Sequence, residues 1–170
     1  MQIIPLDSDH DWLRIEGLHR QYTAYICGDL AKTYGLEFDP VDLHEVSFGL
    51  GVKTRPPLGR SFGAFDDTGR ACGMIMLRKA GPDRYEVKRL FVLPDGQGQG
   101  LGRRLVDAVI AEARSRGAKG ICLDNTANLT TAISLYQRMG FTDCAPYEGS
   151  DVATMEALVP HGVYMDLRLD

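Results

Sequence analysis

The stretch EVKRLFVLPDGQGQGLG, from Glu86 to Gly102, decides the fold. Its first half, residues 86–93, is rich in β-branched and aromatic residues and contains neither Gly nor Pro, which is typical of a buried strand. Pro94 ends this strand, and four glycines follow within seven residues. The next residues, RRLVDAVIAEARSRG, have the apolar period of a helix. The sequence therefore predicts a strand, a glycine-rich loop and a helix in succession.

The glycine-rich loop has few side chains, so its backbone N–H groups are uncovered. They precede a helix whose macrodipole places about half a positive charge at its N-terminus, which predicts a phosphate or pyrophosphate site. The alternative is a flexible turn between a strand and a helix. A Rossmann fingerprint is excluded because its third glycine would fall at Arg103, and a P-loop is excluded because the chain has no Gly-Lys pair.

Gln97, Gly100 and Gly102 resemble the Q/R-x-x-G-x-G/A loop with which the GCN5-related N-acetyltransferase (GNAT) superfamily binds the pyrophosphate of coenzyme A. The order of the following elements strengthens the resemblance, since the helix is followed by an apolar strand near Gly120 and by a second helix, ISLYQRMGF. The resemblance implies an α/β (α+β) fold in a single N-acetyltransferase domain over 1–170. Its mixed central sheet would have about six to seven strands, flanked by helices.

The rest of the chain predicts the order of the strands. A first strand, residues 1–6, precedes a helix capped by Ser8, and three strands near 61–65, 71–78 and 84–93 form an antiparallel meander. The helix after the glycine-rich loop predicts a parallel strand pair through a right-handed crossover. Residues 141–147 and 163–169 are predicted to form a final antiparallel pair.

The resemblance also implies which residues bind acetyl-CoA. Backbone N–H groups of the loop would hold the pyrophosphate, and those of Leu90 and Val92 would contact the pantetheine arm, with the Leu90 N–H polarising the thioester carbonyl. Many relatives carry Asn seven residues before the Tyr of the second helix, where this chain has Leu129, so either Asn128 or Asn125 supplies that contact. The predicted cofactor-binding residues are Leu90, Phe91, Val92, Gln97, Gly98, Gln99, Gly100, Leu101, Gly102, Arg103 and Asn128.

Glu86 is the candidate general base. Strand side chains alternate with period two, so we expect Glu86 on the same face as Lys88, Leu90 and Val92, within reach of the reacting end. Some relatives have a Glu at the corresponding position that acts through water. The alternative is an exposed carboxylate at the end of a strand, paired with Lys88 or Arg84, and the sequence favours neither.

Tyr136 resembles the residue that protonates the departing thiolate in many relatives. A phenol suits that role because both it and the coenzyme A thiol titrate well above neutrality. The resemblance thus implies an acetyl-CoA-dependent N-acetyltransferase that acts on a primary amine of a small molecule or peptide by direct attack in a ternary complex. Two alternatives stay open: a non-catalytic acyl-CoA-binding sensor module, and transfer of a longer acyl group on the same fold.

The acceptor side would be formed by residues 31–59, as in the resembling family. Glu37, Asp39, His44 and Glu45 are candidates to contact the amine there, with a solvated face as the alternative for each.

Composition narrows the remaining partners. The net charge of −4 and the scattered Lys and Arg residues argue against nucleic acid. No apolar run approaches the ~20 residues of a membrane span, and MQIIPLDSDHDW is not typical of a signal peptide, which predicts a cytoplasmic protein that does not bind membranes. The four His and four Cys have no metal-binding spacing, so we expect free thiols and no metal. A homodimer stays open.

Overall fold

The structure, a computed structural model, describes residues 1–169, and at Leu50 and Val52 the backbone alone. Its strands are β1 (Gln2–Pro5), β2 (Gly59–Phe65), β3 (Ala71–Lys79), β4 (Arg84–Val92), β5 (Gly120–Thr126), β6 (Thr142–Asp143) and β7 (Gly162–Arg168). Its α-helices are α1 (Asp9–Leu13), α2 (Glu16–Tyr34), α3 (Pro40–Gly49), α4 (Leu101–Ser115), α5 (Thr130–Arg138) and α6 (Asp151–Thr154). The strands form one seven-stranded mixed sheet flanked by helices, which confirms the predicted fold class.

The sheet has the strand order β1-β2-β3-β4-β5-β7-β6, and β4 and β5 form its parallel pair. The helix α4 connects these two strands, as predicted. The prediction for residues 141–147 is wrong in extent, because β6 has only two residues, and β7 pairs with β5 as well as with β6. Pro146 has no N–H group for a sheet hydrogen bond, so the chain leaves the sheet shortly after Cys144.

Each face of the sheet packs against its own helices. On the face that we call the α4 face, the core contains buried residues of α4 and α5, such as Leu105 and Tyr136, over Val87 and Leu123. On the opposite face, which we call the α2 face, α1 and α2 pack on β3, and the segment 144–164 packs on the second half of α2. This segment therefore covers β5 and β7 on the α2 face.

Strand β4 carries a β-bulge in its middle. The register between β3 and β4 shifts between Met74 and Met76, so that Ile75 faces both Arg89 and Leu90. Arg89 has a φ of 53° and is the single non-glycine residue with positive φ in residues 1–169. A bulge disrupts the ladder locally and re-aims side chains, and bulges are frequent beside active sites.

Strands β4 and β5 part just before this bulge. Their parallel pairing runs from Arg84 and Gly120 to Val87 and Leu123, and no later pair of the two strands is joined within residues 1–169. The part of β4 after Val87 therefore has one edge paired with β3 and one edge that faces an opening in the sheet.

The bulge overturns the expected alternation of side chains. Glu86 lies on the α2 face with Lys88, but Leu90 and Val92 pack against the core of the α4 face. The expectation that all four share a face is wrong because the extra residue, Arg89, reverses the alternation between Lys88 and Leu90.

Two histidines join α2 to α3 on the α2 face. The Nδ1 atoms of His19 and His44 are 2.9 Å apart, and the Oγ of Ser47 lies 3.2 Å from the Nε2 of His19. His44 is 3% exposed, so the solvated face expected for it is wrong, whereas Glu37, Asp39 and Glu45 are exposed. Because one nitrogen of the close pair must accept the hydrogen, at least one ring is neutral.

We expect the free energy of unfolding to fall as the pH is lowered from 6.5 towards 4. Burial, aided by nearby Arg89, lowers the pKa of His19 to about 3, and burial, aided by nearby Arg20, also lowers that of His44. An unfolded His has a pKa of about 6.5, so the unfolded chain binds more protons in this window, which costs about 1.4 kcal/mol per pH unit for His19. Urea unfolding at pH 7, 6 and 5 measures the loss. The double variant His19→Gln/His44→Gln should show a shallower loss, and a loss as steep as that of the wild type would contradict the assignment.

Candidate active site

The N-terminus of α4 is open to a ligand. Gly100 is its N-cap residue, with a φ of 74°, and no side chain caps the helix. The N–H of Arg104 donates to the carbonyl oxygen of Gly100 at 3.1 Å, so the three N–H groups before it have no partner within the helix. A Cβ atom placed on Gly98 or Gly100 would meet no atom within 4 Å. Free N–H groups, a helix dipole and clear space together fit a pyrophosphate.

The two glutamines of the loop hold its shape. The Nε2 of Gln97 donates to the carbonyl oxygen of Val92 at 3.0 Å, and the Nε2 of Gln99 donates to that of Asp95 at 2.9 Å. Both side chains are therefore bonded to the loop itself. The backbone N–H of Gln97 also donates to the carbonyl oxygen of Pro94 at 3.3 Å, so of the two residues only Gln99 has a backbone N–H free for a ligand.

The first turn of α4 combines packing with exposure. Leu101 is 2% exposed and belongs to the core of the α4 face. A Cβ on Gly102 would lie 3.3 Å from Cδ2 of Leu135, so a glycine here permits the close approach of α4 and α5. Arg103 is exposed. Its Nε lies 3.8 Å from Oδ2 of Asp107, and its guanidinium is free to reach a phosphate.

The open edge of β4 carries the N–H groups of Leu90 and Val92. The N–H of Leu93 donates to the carbonyl oxygen of Cys72 on β3 at 2.9 Å. Successive N–H groups of a strand point to opposite edges, so the N–H of Phe91 points to β3 and those of Leu90 and Val92 point to the opening. The ring of Phe91 lies on the α2 face, with its centroid 5.8 Å from that of Tyr22.

Asn128 has a free hydrogen-bond acceptor. Its Nδ2 donates to Oδ2 of Asp29 at 2.6 Å, while its Oδ1 is the one buried side-chain N or O atom without a partner in residues 1–169. A carboxylate accepts only, which fixes the orientation of the amide. A buried orphan acceptor requires a donor, and an amide N–H such as those of pantetheine would satisfy it. Asn128 therefore fits the predicted contact better than Asn125, which lies within β5 opposite Val163.

Tyr136 is a buried phenol that stays protonated. Its ring is 3% exposed and packs edge-on against Phe141 at 5.4 Å. Burial raises the pKa of Tyr136, and nearby Tyr22 and Asp124 raise it further. The hydroxyl makes no hydrogen bond to residues 1–169, which leaves it available to a ligand. A neutral phenol in that position can donate a proton.

Glu86 is a fully paired carboxylate, 1% exposed. It accepts hydrogen bonds from Nε of Arg78, from Nζ of Lys88 at 3.2 Å and from the hydroxyl of Tyr147 at 2.8 Å. The predicted pairing with Lys88 is present, but the carboxylate is buried rather than exposed, and Arg84 pairs with Asp166 instead.

Lys88 is the centre of this charge network. Its Nζ lies 2.7 Å from Oδ1 of Asp124, 2.9 Å from Oδ2 of Asp151 and 3.2 Å from Oε1 of Glu86. Burial acts to lower the pKa of Lys88, but these carboxylates raise it above its ordinary value. In return Lys88 holds the pKa of Asp124 and of Asp151 below the usual range despite their burial. The lysine is therefore charged and shared by three carboxylates.

The network also fastens α6 to the sheet. Oδ2 of Asp124 accepts hydrogen bonds from Oγ of Ser150 at 2.7 Å and from the N–H of Val152 at 3.1 Å. Nε and NH2 of Arg78 join Glu86 to Asp151 in the same way. The segment around α6, whose role the sequence did not indicate, thus forms a wall over the charged end of β5.

Lys88, Asp124 and Asp151 were not predicted from the sequence to form one cluster. One signal was present: Asp124 is a carboxylate at the end of an apolar strand, next to the strand that carries EVKR.

Within residues 1–169, no group of three or more His, Cys, Asp or Glu residues could hold a metal ion. In the same residues, no helix is long and apolar enough to span a membrane.

The chain is similar in sequence to known acetyltransferases. The sequence model of the acetyltransferase (GNAT) family matches residues 23–141. An uncharacterized N-acetyltransferase of Schizosaccharomyces pombe is 33% identical over 118 residues, which are 69% of this chain and 68% of the relative. An IAA acetyltransferase of Azospirillum brasilense is 38% identical over 76 residues, which are 45% of this chain and 49% of that protein.

The fold is shared with solved structures of the family. The PaiA N-acetyltransferase of Thermoplasma acidophilum, solved in complex with coenzyme A, aligns with a TM-score of 0.72 over 99% of this chain and 100% of that one, at 16% identity. This likeness shows the common fold.

Replacing Lys88 by Met should lower the free energy of unfolding by about 3–5 kcal/mol, because three buried carboxylates would lose their shared cation. Urea unfolding at pH 7 measures the loss. The matched control is Lys119→Met. It removes an exposed ion pair, in which Nζ of Lys119 lies 2.8 Å from Oδ2 of Asp83, and should lower the free energy of unfolding by less than about 1 kcal/mol. Equal losses in the two variants would contradict the structural role assigned to Lys88.

Proposed function

Because the chain belongs to the acetyltransferase (GNAT) family, we propose that it transfers the acetyl group of acetyl-CoA to a primary amine of a small molecule or peptide. The proposal includes direct attack by the amine in a ternary complex. The enzyme would be cytoplasmic, and residues 1–170 would act as one domain. The homodimer stays a prediction from the sequence.

One observation carries the proposal: the uncapped, glycine-rich N-terminus of α4 follows directly on the strand whose edge is open. The N–H groups of residues 98–103 would bind the pyrophosphate, and the open edge of β4 would bind the pantetheine arm along Leu90 and Val92. The unpaired Oδ1 of Asn128 would accept from an amide of that arm. The loop, the open edge of β4 and Asn128 would thus form one path for the carrier.

Acetyl-CoA supplies a thioester whose acetyl carbon an amine can attack. The Leu90 N–H would donate to the carbonyl oxygen, where negative charge develops during the attack. The neutral phenol of Tyr136, protonated because burial raises its pKa, would give its proton to the leaving sulfur. Burial of the site around Tyr136 would keep bulk water from that proton transfer.

The base is the less constrained part of the proposal. Glu86 stays a candidate because it lies where β4 and β5 begin to part, one residue before Val87. Its three hydrogen bonds favour a structural role, in which the buried carboxylate holds Arg78 and Lys88 in place. A base acting through water would need one of those bonds to be exchanged for a water molecule.

The pyrophosphate site is tested by placing a charge at Gly100. The variants Gly100→Asp and Gly100→Asn have the same shape and the same backbone strain, since Asp and Asn both tolerate positive φ, but only Asp adds an anion beside the bound pyrophosphate. A saturating ligand at about a hundredfold its Kd stabilises the fold by about 2.7 kcal/mol, which raises the melting temperature by several degrees. We expect Gly100→Asp to lose most of the acetyl-CoA shift and Gly100→Asn to retain more of it.

Equal shifts in the two Gly100 variants would contradict the loop as the pyrophosphate site. A wild-type shift with ATP or NAD as large as that with acetyl-CoA would indicate general phosphate binding instead.

The chemistry is tested with Tyr136→Phe, which keeps the ring and its packing on Phe141. We expect acetyl-CoA binding to be unchanged and kcat to fall by roughly ten- to a thousandfold, because the proton donor is gone. Coenzyme A release measured with a panel of amines and several acyl-CoA donors gives the rates. An unchanged kcat would remove Tyr136 as the acid, and tight acetyl-CoA binding without turnover of any amine would favour the sensor module.

Glu86→Gln in the same assay separates its two roles. If Glu86 is the base, the variant should have a lower kcat and should lack the acidic limb of the pH profile of kcat/KM, while its stability is unchanged. If Glu86 only holds the charge network, the variant should have a lower free energy of unfolding in urea, and its kcat below the melting temperature should be unchanged.

A further inference from the structure

Arg89 occupies an unusual place on β4. It is the bulge residue, held at a φ of 53°, and it immediately precedes Leu90, whose N–H points into the opening of the sheet. A non-glycine residue with positive φ is uncommon, and such strain tends to occur at functional sites. Its side chain therefore begins within one residue of the proposed reacting centre.

Arg89 is half-buried as a residue, and no ion pair joins its guanidinium to another side chain within residues 1–169. Other half-buried arginines have carboxylate partners, as Arg78 has Glu86 and Arg116 has Glu112. No carboxylate lies within 4.0 Å of Arg89 among residues 1–169, whereas the other arginines of that range without a carboxylate partner are exposed. A guanidinium is always charged and has five N–H donors, so a half-buried arginine without a carboxylate partner can bind an anion.

The surroundings of Arg89 lie on the α2 face. The positive charge of Arg89 lowers the pKa of His19 in α2 and of Asp151 in α6. It also opposes the rise that burial causes in the pKa of Tyr22 in α2. The loop proposed for acetyl-CoA leads instead into α4, whose core lies on the other face. An anion at Arg89 would thus belong to the acceptor rather than to the carrier.

We propose that Arg89 binds a carboxylate of the acceptor, and that the acceptor is an amino acid or a related amine with a carboxylate a few bonds from its nitrogen. This inference rests on the proposed acetyl transfer and names its substrate class.

The charge balance fits a zwitterion. Two cations of the network, Arg78 and Lys88, are bonded to the three carboxylates of Glu86, Asp124 and Asp151. Arg89 adds a third cation that is not bonded to any of them. An acceptor that brings one carboxylate and one amine adds no net charge before it loses its proton, and a planar carboxylate matches the fork of a guanidinium.

The test is equilibrium binding, which does not require turnover. Isothermal titration calorimetry in the presence of coenzyme A would compare the twenty N-acetyl-L-amino acids with their carboxamides. We expect the preferred carboxylates to bind at least about tenfold more tightly than the matched carboxamides, and Arg89→Gln to lower their affinity by about ten- to a hundredfold while leaving the carboxamides unchanged. Arg89→Lys should lose less than Arg89→Gln because it keeps the charge.

The matched control is Arg84→Gln, at the start of the same strand, which should change neither affinity. No preference for carboxylates in the wild type overturns the proposal even if Arg89→Gln fails to fold. An equal loss with Arg84→Gln overturns it as well.

Turnover of amines measured in parallel separates this inference from the proposed function. Neutral amines turned over as well as amino acids, with no effect of Arg89→Gln, would overturn the carboxylate site and leave acetyl transfer standing. Carboxylate binding that depends on Arg89, without turnover of any amine, would retain the site and remove acetyl transfer.

Discussion

The interruption of β4 is the constraint on which the site depends. A regular strand would pair along both edges and expose no N–H group, but β4 parts from β5 after Val87 and bulges at Arg89. The same interruption leaves the N–H groups of Leu90 and Val92 free and places Arg89 next to Leu90 in the chain. The glycine-rich loop and α4 follow after the end of the same strand.

The charge network lies where β4 and β5 separate. Where two strands separate inside a core, apolar side chains would tend to fill the gap, but Lys88 and three carboxylates lie on the α2 side of β4 and β5 instead. Buried ion pairs add little net stability, although removing one partner is costly. Their value here is positional, because they hold α6 as a wall over the end of β5.

The part of the site that depends on local spacing could be predicted from the sequence. Glycines at fixed distances from Pro94 and the apolar period of α4 indicated the loop, the helix and the parallel crossover. The bulge could not be predicted, since it arises from the pairing of β4 with β3 and no glycine marks it. For the same reason the face of Leu90 was wrongly predicted. The burial of Glu86 depends on Arg78 and Tyr147, 8 and 61 residues away, which strand periodicity does not bring together.

Hydrogen exchange of individual backbone amides, followed by NMR with and without saturating acetyl-CoA, tests the central claim most directly. We predict that the amides of Leu90 and Val92 exchange rapidly in the free protein and are protected by about tenfold or more when acetyl-CoA binds. The amide of Phe91, which points to β3, should be protected in both states. Amides of Leu90 and Val92 that are already protected in the free protein, or that acetyl-CoA leaves unchanged although it raises the melting temperature, would contradict the account.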